Sequence, residues 1–354
     1  MLNIKPTTGP HTTENLSIGG IMRQVIYALI PATLFGLYLF GWPAINLFLI
    51  TLFSALFFEY FCLKLADKPA LPALKDSSAL LTAWLLAMSL PPWAPWWVGV
   101  IGAGMAIILG KQVYGGLGQN LFNPAMLARV ALLISFPLEL TTWANVAPWL
   151  SETAPDFKTG LHITFMGLDT IDGSTGATVL GYVKTELSQK HPLSVSLADI
   201  YNANNAWLGF MRGSLSETSA ILLILGGGWL LFKKIITWHI PLSIIVSVAL
   251  ISAVFHTLNP EIYLSPSVHL SSGALMCAAF FIATDYVTSP NTPVGQLIFG
   301  SACGLLIFTI RTWGGYPEGA AFAILLMNAF TPLIDHYVKP RIYGRDRQRR
   351  PLEL

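Results

Sequence analysis

Long apolar stretches, separated by short polar or proline-bearing turns, dominate the pattern of hydrophobic and polar positions. A helix crosses the hydrocarbon of a membrane with about 20 mostly apolar residues. The chain contains ten candidate stretches of this kind: 22–41, 44–64, 76–91, 95–113, 123–138, 216–233, 238–256, 269–285, 294–311 and 318–337. The pattern therefore predicts an all-α polytopic membrane protein with about ten transmembrane helices.

Composition strengthens this prediction and excludes several other classes. Of the 354 residues, 54% are hydrophobic and only 11% are charged, whereas soluble domains have about a quarter charged residues. The balance of 20 Lys and Arg against 18 Asp and Glu excludes a strongly basic nucleic-acid binder. Three cysteines are too few for a disulfide framework, and the scattered histidines show no metal-ligand spacing. We expect no nucleic acid and no metal site.

Lysine and arginine are concentrated in alternate connections between the apolar stretches, which predicts the side of the membrane that each connection faces. They occupy the segments beside 22–41, between 44–64 and 76–91, and after 318–337, so both termini are expected in the cytoplasm. The resulting division is a cytoplasmic arm (1–21), a first five-helix unit (22–138), an extracytoplasmic loop (139–215), a second five-helix unit (216–337) and a basic cytoplasmic tail (338–354). Arg311 is discordant, because this count places it outside.

Two parts of the chain resemble each other at an offset of about 200 residues. LKDSSALL from Leu74 is similar to HLSSGALM from His269, and KQVYGG from Lys111 is similar to RTWGGY from Arg311. An odd number of helices in each unit would insert the second copy upside down, as in transporters built from inverted repeats. Chance similarity between apolar helices is the alternative.

Ionisable and amide side chains within or beside the stretches are candidates for an ion pathway. Asp285 and Glu59 are the two we single out, although Glu59 could also snorkel or pair with a lysine. Asn120 and Asn123 could bind a flavin ring or an ion, or could cap a helix. The cysteines are far apart in sequence, which favours packing over iron–sulfur ligation: Cys62, Cys277 and Cys303.

The extracytoplasmic loop carries one polar motif, Asp172-Gly173-Ser174-Thr175-Gly176-Ala177-Thr178. Taken alone, it is a turn, because Asp-Gly starts turns and Gly176 tolerates a positive φ. The apolar and polar alternation of 160–166 predicts a short strand in the same loop. A loop of this length in a compact protein is usually either functional or disordered, and the predicted strand favours an ordered loop.

The motif also resembles a specific modification signal. Asp-x-x-Ser/Thr-Gly-Ala-Thr is the pattern recognised by the flavin transferase that joins FMN to threonine through a phosphoester. Asp172, Thr175, Gly176, Ala177 and Thr178 match the fixed positions, and Ser174 lies within the motif. By this resemblance Thr178 is the attachment site, and we expect its hydroxyl to be exposed to the transferase before assembly.

The whole chain resembles the family of the D subunit of the Rnf (Rsx) ion-translocating electron-transport complex. The stretch GLGQNLFNPA at 116–125 is similar to that family and to the B subunit of the sodium-pumping NADH:quinone reductase. The resemblance implies a urea-transporter-like fold, covalent FMN, location in a bacterial inner membrane and partner subunits A, B, C, E and G. A second, non-covalent flavin, riboflavin, is a weaker implication.

Three functions remain open from the sequence. The first is electron transfer through FMN, coupled to translocation of sodium ions or protons within a complex. The second is a cofactor-free inverted-repeat transporter of a solute or ion, and the third is a structural scaffold. Only the motif that ends at Thr178 separates the first function from the other two.

Overall fold

The computed structural model describes residues 17–167, 175–189, 191–193, 197 and 200–340, and its regular structure is mostly helical. The elements are α1 (Ile18–Leu65), α2 (Ala70–Leu74), α3 (Ser78–Ser89), α4 (Trp96–Gly104), α5 (Pro124–Ser135), α6 (Pro137–Thr141), β1 (Trp143–Ala144), α7 (Phe157–Met166), β2 (Thr175–Gly176), α8 (Val179–Ser188), α9 (Ala203–Leu208), α10 (Ala220–Phe232), α11 (His239–Leu258), α12 (Pro266–Ser271), α13 (Leu275–Cys277), α14 (Pro293–Trp313) and α15 (Ala320–Tyr337). Two π-helical segments continue α4 and α13, at Met105–Gln112 and Ala278–Ile282 respectively.

The long helix α1 is a hairpin of two apolar helices that meet at Gly41. Gly41 has a φ of 66° and a ψ of −152°, a conformation that glycine adopts without the cost of a Cβ clash. A straight helix would separate Gly19 from Glu59 by about 60 Å. Gly19 instead contacts Asp76, and Glu59 reaches Ser78 through the side chain of Lys111. The predicted stretches 22–41 and 44–64 are therefore two antiparallel arms.

Helices also occupy the other predicted stretches, and the prediction is wrong at 269–285. That stretch is interrupted between α12 and α13, where Ser272 is extended and Gly273 has a φ of 73°. A Cβ on Gly273 would collide with the carboxylate of Glu318 and the guanidinium of Arg311. The interruption leaves room for these two charged groups, which the apolar pattern did not indicate.

The outer faces of the helices are apolar. Among the residues that the structure describes, three helices, α1, α11 and α14, are long and apolar enough to cross a membrane, and shorter apolar helices lie at 78–89, 96–112, 124–135 and 220–232. Their large exposed side chains include Phe57, Leu225 and Leu250, each more than 60% exposed. Exposed apolar surface of this extent is typical of contact with lipid. The fold is therefore consistent with a polytopic membrane protein.

Close packing between α11 and α14 depends on glycine. Gly300 and Gly304 form a Gly-x-x-x-Gly pair, a spacing that lets two helix backbones approach closely in membranes. A Cβ on Gly304 would lie 2.9 Å from the carbonyl oxygen of Ile244 and 2.8 Å from Cβ of Ser247. These short distances show that α14 has no room for a side chain at this position.

The described residues of the segment from 139 to 215 form short helices and two short strands, but the strand predicted at 160–166 is wrong. These residues belong to helix α7, because Asp156 caps its first turn by accepting a hydrogen bond from the Thr159 N–H at 2.9 Å. The strands lie elsewhere and are short. β1 pairs with β2 in an antiparallel register, with Trp143 opposite Gly176 and Ala144 opposite Thr175.

Candidate functional site

The threonine motif lies between β2 and the start of α8. Thr175 and Gly176 are the two residues of β2, and their pairing with β1 fixes the backbone of the motif. A Cβ on Gly176 would collide with the guanidinium of Arg212, so the motif is also covered on that side. Asp172 and Ser174 lie outside the described residues.

Thr178 is the N-cap of α8. Its Oγ1 accepts a hydrogen bond from the Gly181 N–H at 3.2 Å, which satisfies one of the free backbone donors at the start of a helix. The residue is only 7% exposed. We expected an exposed hydroxyl, so the structure differs here: the cap and the packing of the motif cover most of Thr178.

A cleft of about 390 Å³ opens beside Thr178, which is within the size range of small-molecule sites. It lies between one face of α8 and two other segments, the end of α6 with β1 and the turn before α15. The residues that line it are Thr141, Trp143, Ala177, Thr178, Gly181, Lys184, Thr185, Ser188, Gly315 and Pro317. We call this space the attachment cleft.

Lys184 is fixed at the wall of the attachment cleft. Its Nζ donates to the carbonyl oxygens of Ile310, Arg311 and Tyr316 at 3.3, 3.4 and 3.0 Å. Partial burial lowers the pKa of Lys184 because the ammonium is less well hydrated, while the three carbonyl oxygens favour its charged form. Lys184 thereby ties α8 to the C-terminal end of α14.

A second, smaller cleft, which we call the central cleft, brings together three of the residues singled out from the sequence. Asn120, Asn123 and Asp285 all line it, although they are far apart in the chain, and Lys111 contributes to the same wall. Its volume is about 70 Å³, well below the roughly 300 Å³ at which small-molecule sites begin. In this conformation the central cleft suits an ion with its waters better than a flavin ring.

Asn123 has a structural role. Its Oδ1 accepts hydrogen bonds from the N–H groups of Ala125 and Met126 and so caps α5. Its own N–H donates to Oδ1 of Asn328 at 3.1 Å, which joins the two halves of the chain. Asn120 donates from Nδ2 to the Phe122 carbonyl oxygen at 3.1 Å. The capping interpretation is thus confirmed for Asn123.

Asp285 and Glu59 differ in the groups that bind their carboxylates. The Thr288 hydroxyl donates to Oδ2 of Asp285 at 3.0 Å. Glu59 forms a buried ion pair with Lys111, with Nζ and Oε1 2.7 Å apart and both side chains at most 3% exposed. The other oxygen, Oε2, is buried and accepts no hydrogen bond within the described part of the chain. Glu59 therefore pairs with a lysine, although not with the nearby Lys64.

Arg311, the discordant cation, is also buried and paired. It donates to the carbonyl oxygens of His269 and Ser272 at 2.7 and 3.0 Å and forms a 3.0 Å ion pair with Glu318. These bonds explain how an arginine can lie at an apolar end of α14.

Sequence reasoning missed the structural roles of Lys111, Lys184, Glu318 and Asn328. Lys111 and Arg311 occupy equivalent positions in the two similar segments. This equivalence could have indicated that Lys111 is a buried cation with an acidic partner rather than a lysine that marks the cytoplasmic side. Lys184 and Glu318 form contacts with segments more than 40 residues away. No local pattern carried that information.

A mostly helical membrane protein with a polar motif that ends at Thr178 beside a cleft is the class that this fold and site define. The chain belongs to the NQR2, RnfD, RnfE family, whose model matches residues 5–344. It is similar to proteins named as the D subunit of the ion-translocating oxidoreductase complex. The one from Halorhodospira halophila is 52% identical over 97% of this chain and 96% of the relative. Those from Stutzerimonas stutzeri and Rhodobacter capsulatus are 52% and 48% identical, over 95% and 86% of this chain and 95% and 85% of the relatives.

Proposed function

We propose that this chain is the D subunit of an ion-translocating oxidoreductase complex and that it carries FMN joined covalently to Thr178. Relatives with that name, similar over nearly the whole chain, support the first part. The single observation that supports the flavin is Thr178 itself, which lines a cleft large enough for a small molecule. The protein would act as an enzyme only within the complex.

The residues around Thr178 fit a phosphate-linked group. An ester on Oγ1 places phosphate oxygens at the N-terminus of α8, where free backbone N–H groups and the helix dipole favour an anion. A flavin supplies one- and two-electron chemistry, and the chain supplies attachment, orientation and electrostatics. A threonine hydroxyl does not attack a phosphoryl group unaided, so a separate flavin transferase is required.

The test of attachment is in-gel fluorescence. The chain is expressed with its flavin transferase, denatured and run on a gel, with Thr178→Ala and the neighbouring Thr185→Ala as matched variants. We expect a fluorescent band for the wild type and for Thr185→Ala, and none for Thr178→Ala. A wild-type band without fluorescence, in the presence of active transferase, would support the cofactor-free transporter instead.

Coupling to an ion is the second part of the proposal. The central cleft combines the carboxylate of Asp285 with the amide of Asn120. Both groups have oxygen atoms that suit a sodium ion, and the carboxylate also suits a proton. We propose Asp285 as the pathway residue and give Glu59 a structural role, since Lys111 already neutralises it. Asp285→Asn should uncouple ion uptake from electron transfer in proteoliposomes, with Asp335→Asn as a control. A second flavin, riboflavin, would require the walls of the central cleft to separate.

The inverted duplication is supported by one pair of equivalent contacts. Lys111 donates to Oγ of Ser78 at 2.8 Å, and Arg311 donates to the carbonyl oxygen of Ser272 at 3.0 Å. The cations correspond in the two similar segments, and so do the serines. We propose two inverted units of five helices, with the termini in the cytoplasm and the 139–215 loop in the periplasm. Cysteine accessibility from the two sides of the membrane tests this orientation.

The expected partners are subunits A, B, C, E and G of the complex, together with the lipid of the bacterial inner membrane. Electrons would pass between partners on the NADH or ferredoxin side. Purification through a tag on this chain should recover the other subunits, and a chain recovered alone from native membranes would contradict the proposed assembly.

A further inference from the structure

One face of α8 borders the attachment cleft along its whole length. Thr178, Gly181, Thr185 and Ser188 are spaced by three or four residues, so they lie on one stripe of the helix, and all four line the cleft. Their side chains are small, which leaves a groove beside Thr178. A group attached to Thr178 would have this groove as the adjoining open space.

The opposite wall of the groove offers an aromatic ring and a gap. Trp143 lines the cleft from β1, where its backbone is held opposite Gly176. A Cβ on Gly315 would meet no atom within 4 Å, so the wall is open at that point. Trp143 is only 7% exposed and Arg129 lies over its ring, so a planar ring system that enters the groove from Thr178 would reach the exposed edge of the indole.

Lys184 is the charged side chain among the described residues that line this cleft. An ammonium has three N–H donors, and Lys184 directs its Nζ to three backbone carbonyl oxygens. No carboxylate in the described ranges lies within ion-pairing distance of it, since the three ion pairs found there involve other cations. Its position is fixed, and none of the acids among the described residues forms an ion pair with it.

We infer that the flavin joined to Thr178 lies along this groove and that Lys184 is the positioning residue whose fixed positive charge raises the reduction potential of the flavin. The inference rests on the proposed attachment to Thr178. Reduction places additional electron density on the ring, and a nearby cation in a poorly hydrated site stabilises that density. Lys184 has a second effect, because its bonds to the end of α14 hold α8 in place.

A redox titration separates the two effects. The full chain is flavinylated by co-expression with the transferase, and the flavin spectrum is followed against applied potential for Lys184→Met, Lys184→Arg and the exposed control Lys158→Met. At the wild-type midpoint we expect Lys184→Met to raise the ratio of oxidised to reduced flavin at least tenfold, a shift of about 59 mV for one electron or about 29.6 mV for two. Lys184→Arg and Lys158→Met should stay within about twofold of the wild type.

Two results would overturn the inference while flavin remains on the protein. An unchanged potential in Lys184→Met would show that the charge does not act on the ring. Equal shifts in Lys184→Met and Lys184→Arg would show that Lys184 acts only by holding α8. Flavin content is measured first on the denatured band, and a wild-type band without flavin would contradict the proposed function itself, and this inference with it.

The location of the ring has an independent test. A tryptophan in contact with a flavin quenches its fluorescence, so Trp143→Phe should raise the flavin emission of the folded protein at least twofold, with Trp149→Phe as the control. Equal emission from the folded wild type and Trp143→Phe would place the ring outside the groove.

Discussion

The buried ion pair between Lys111 and Glu59 gives a quantitative test of the membrane core. Nζ lies 2.7 Å from Oε1 of Glu59 and 2.8 Å from Oγ of Ser78, and both charged side chains are at most 3% exposed. Lys111→Met removes the cation and leaves a buried carboxylate without its partner. Loss of one member of a buried pair typically costs about 3–5 kcal/mol, a large part of the roughly 5–15 kcal/mol that stabilises a typical protein.

The assay is unfolding in detergent, followed by helical circular dichroism for the wild type, Lys111→Met, Glu59→Gln and the double variant. The double variant should recover about 2 kcal/mol or more of the summed losses of the single variants, because neither buried charge remains unpaired. Lys64→Met at the exposed end of α1 should change the free energy of unfolding by less than about 0.5 kcal/mol. Additive losses in the free energy of unfolding, or a loss below about 1 kcal/mol in Lys111→Met, would refute the pairing. Glu59 would then again be a candidate for the ion pathway.

Three further predictions concern packing and local stability. Gly304→Leu should destabilise the protein by about 1–3 kcal/mol or more because α11 leaves no space for a side chain. Gly228→Leu, at a position of α10 that faces open space, should not destabilise it. Thermal unfolding in detergent compares the two variants. Thr178→Ala should increase hydrogen exchange at the Gly181 N–H by about fivefold, the equivalent of one lost cap of about 1 kcal/mol, while Thr178→Ser should not. Hydrogen bonds from Thr159 lower the pKa of Asp156, so its contribution to α7 is present above pH 3.8 and is lost as the pH falls through the lower folded-state pKa. In the wild type, the protection of the Thr159 N–H from exchange, relative to its intrinsic rate at each pH, should fall through this titration. In Asp156→Asn the protection should be independent of that titration.

Hydrophobic pattern alone predicted most helices, because burial in lipid or in the core demands long apolar segments. Even the break at Gly41 was indicated, since Gly41-Trp42-Pro43 separates two stretches. The interruption at Ser272–Gly273 was missed because its cause is not local: Arg311 and Glu318, some 40 residues further on, occupy the space that a continuous helix would need. The strand predicted at 160–166 was wrong because the N-cap at Asp156 starts a helix, and the alternation of apolar and polar residues there is short.

The candidate site was likewise predictable only where its signal is local in the sequence. The motif that ends at Thr178 is contiguous, so its sequence was sufficient to select it. The sequence could not show that Thr178 caps α8 or that Lys184 faces the same cleft, because both depend on how α8 packs against β1 and α14. Asn120, Asn123 and Asp285 were selected one by one as polar residues in apolar surroundings, and only the fold shows that they share a cleft.

Mass spectrometry of the peptide that contains Thr178 tests the proposed phosphoester without any further assumption. The protein is isolated from native membranes within its assembled complex and digested, and the peptide is fragmented. We predict a mass increase of one FMN less one water, localised to Thr178. An unmodified Thr178 in most copies of that peptide, or the same mass increase on another residue, would contradict it.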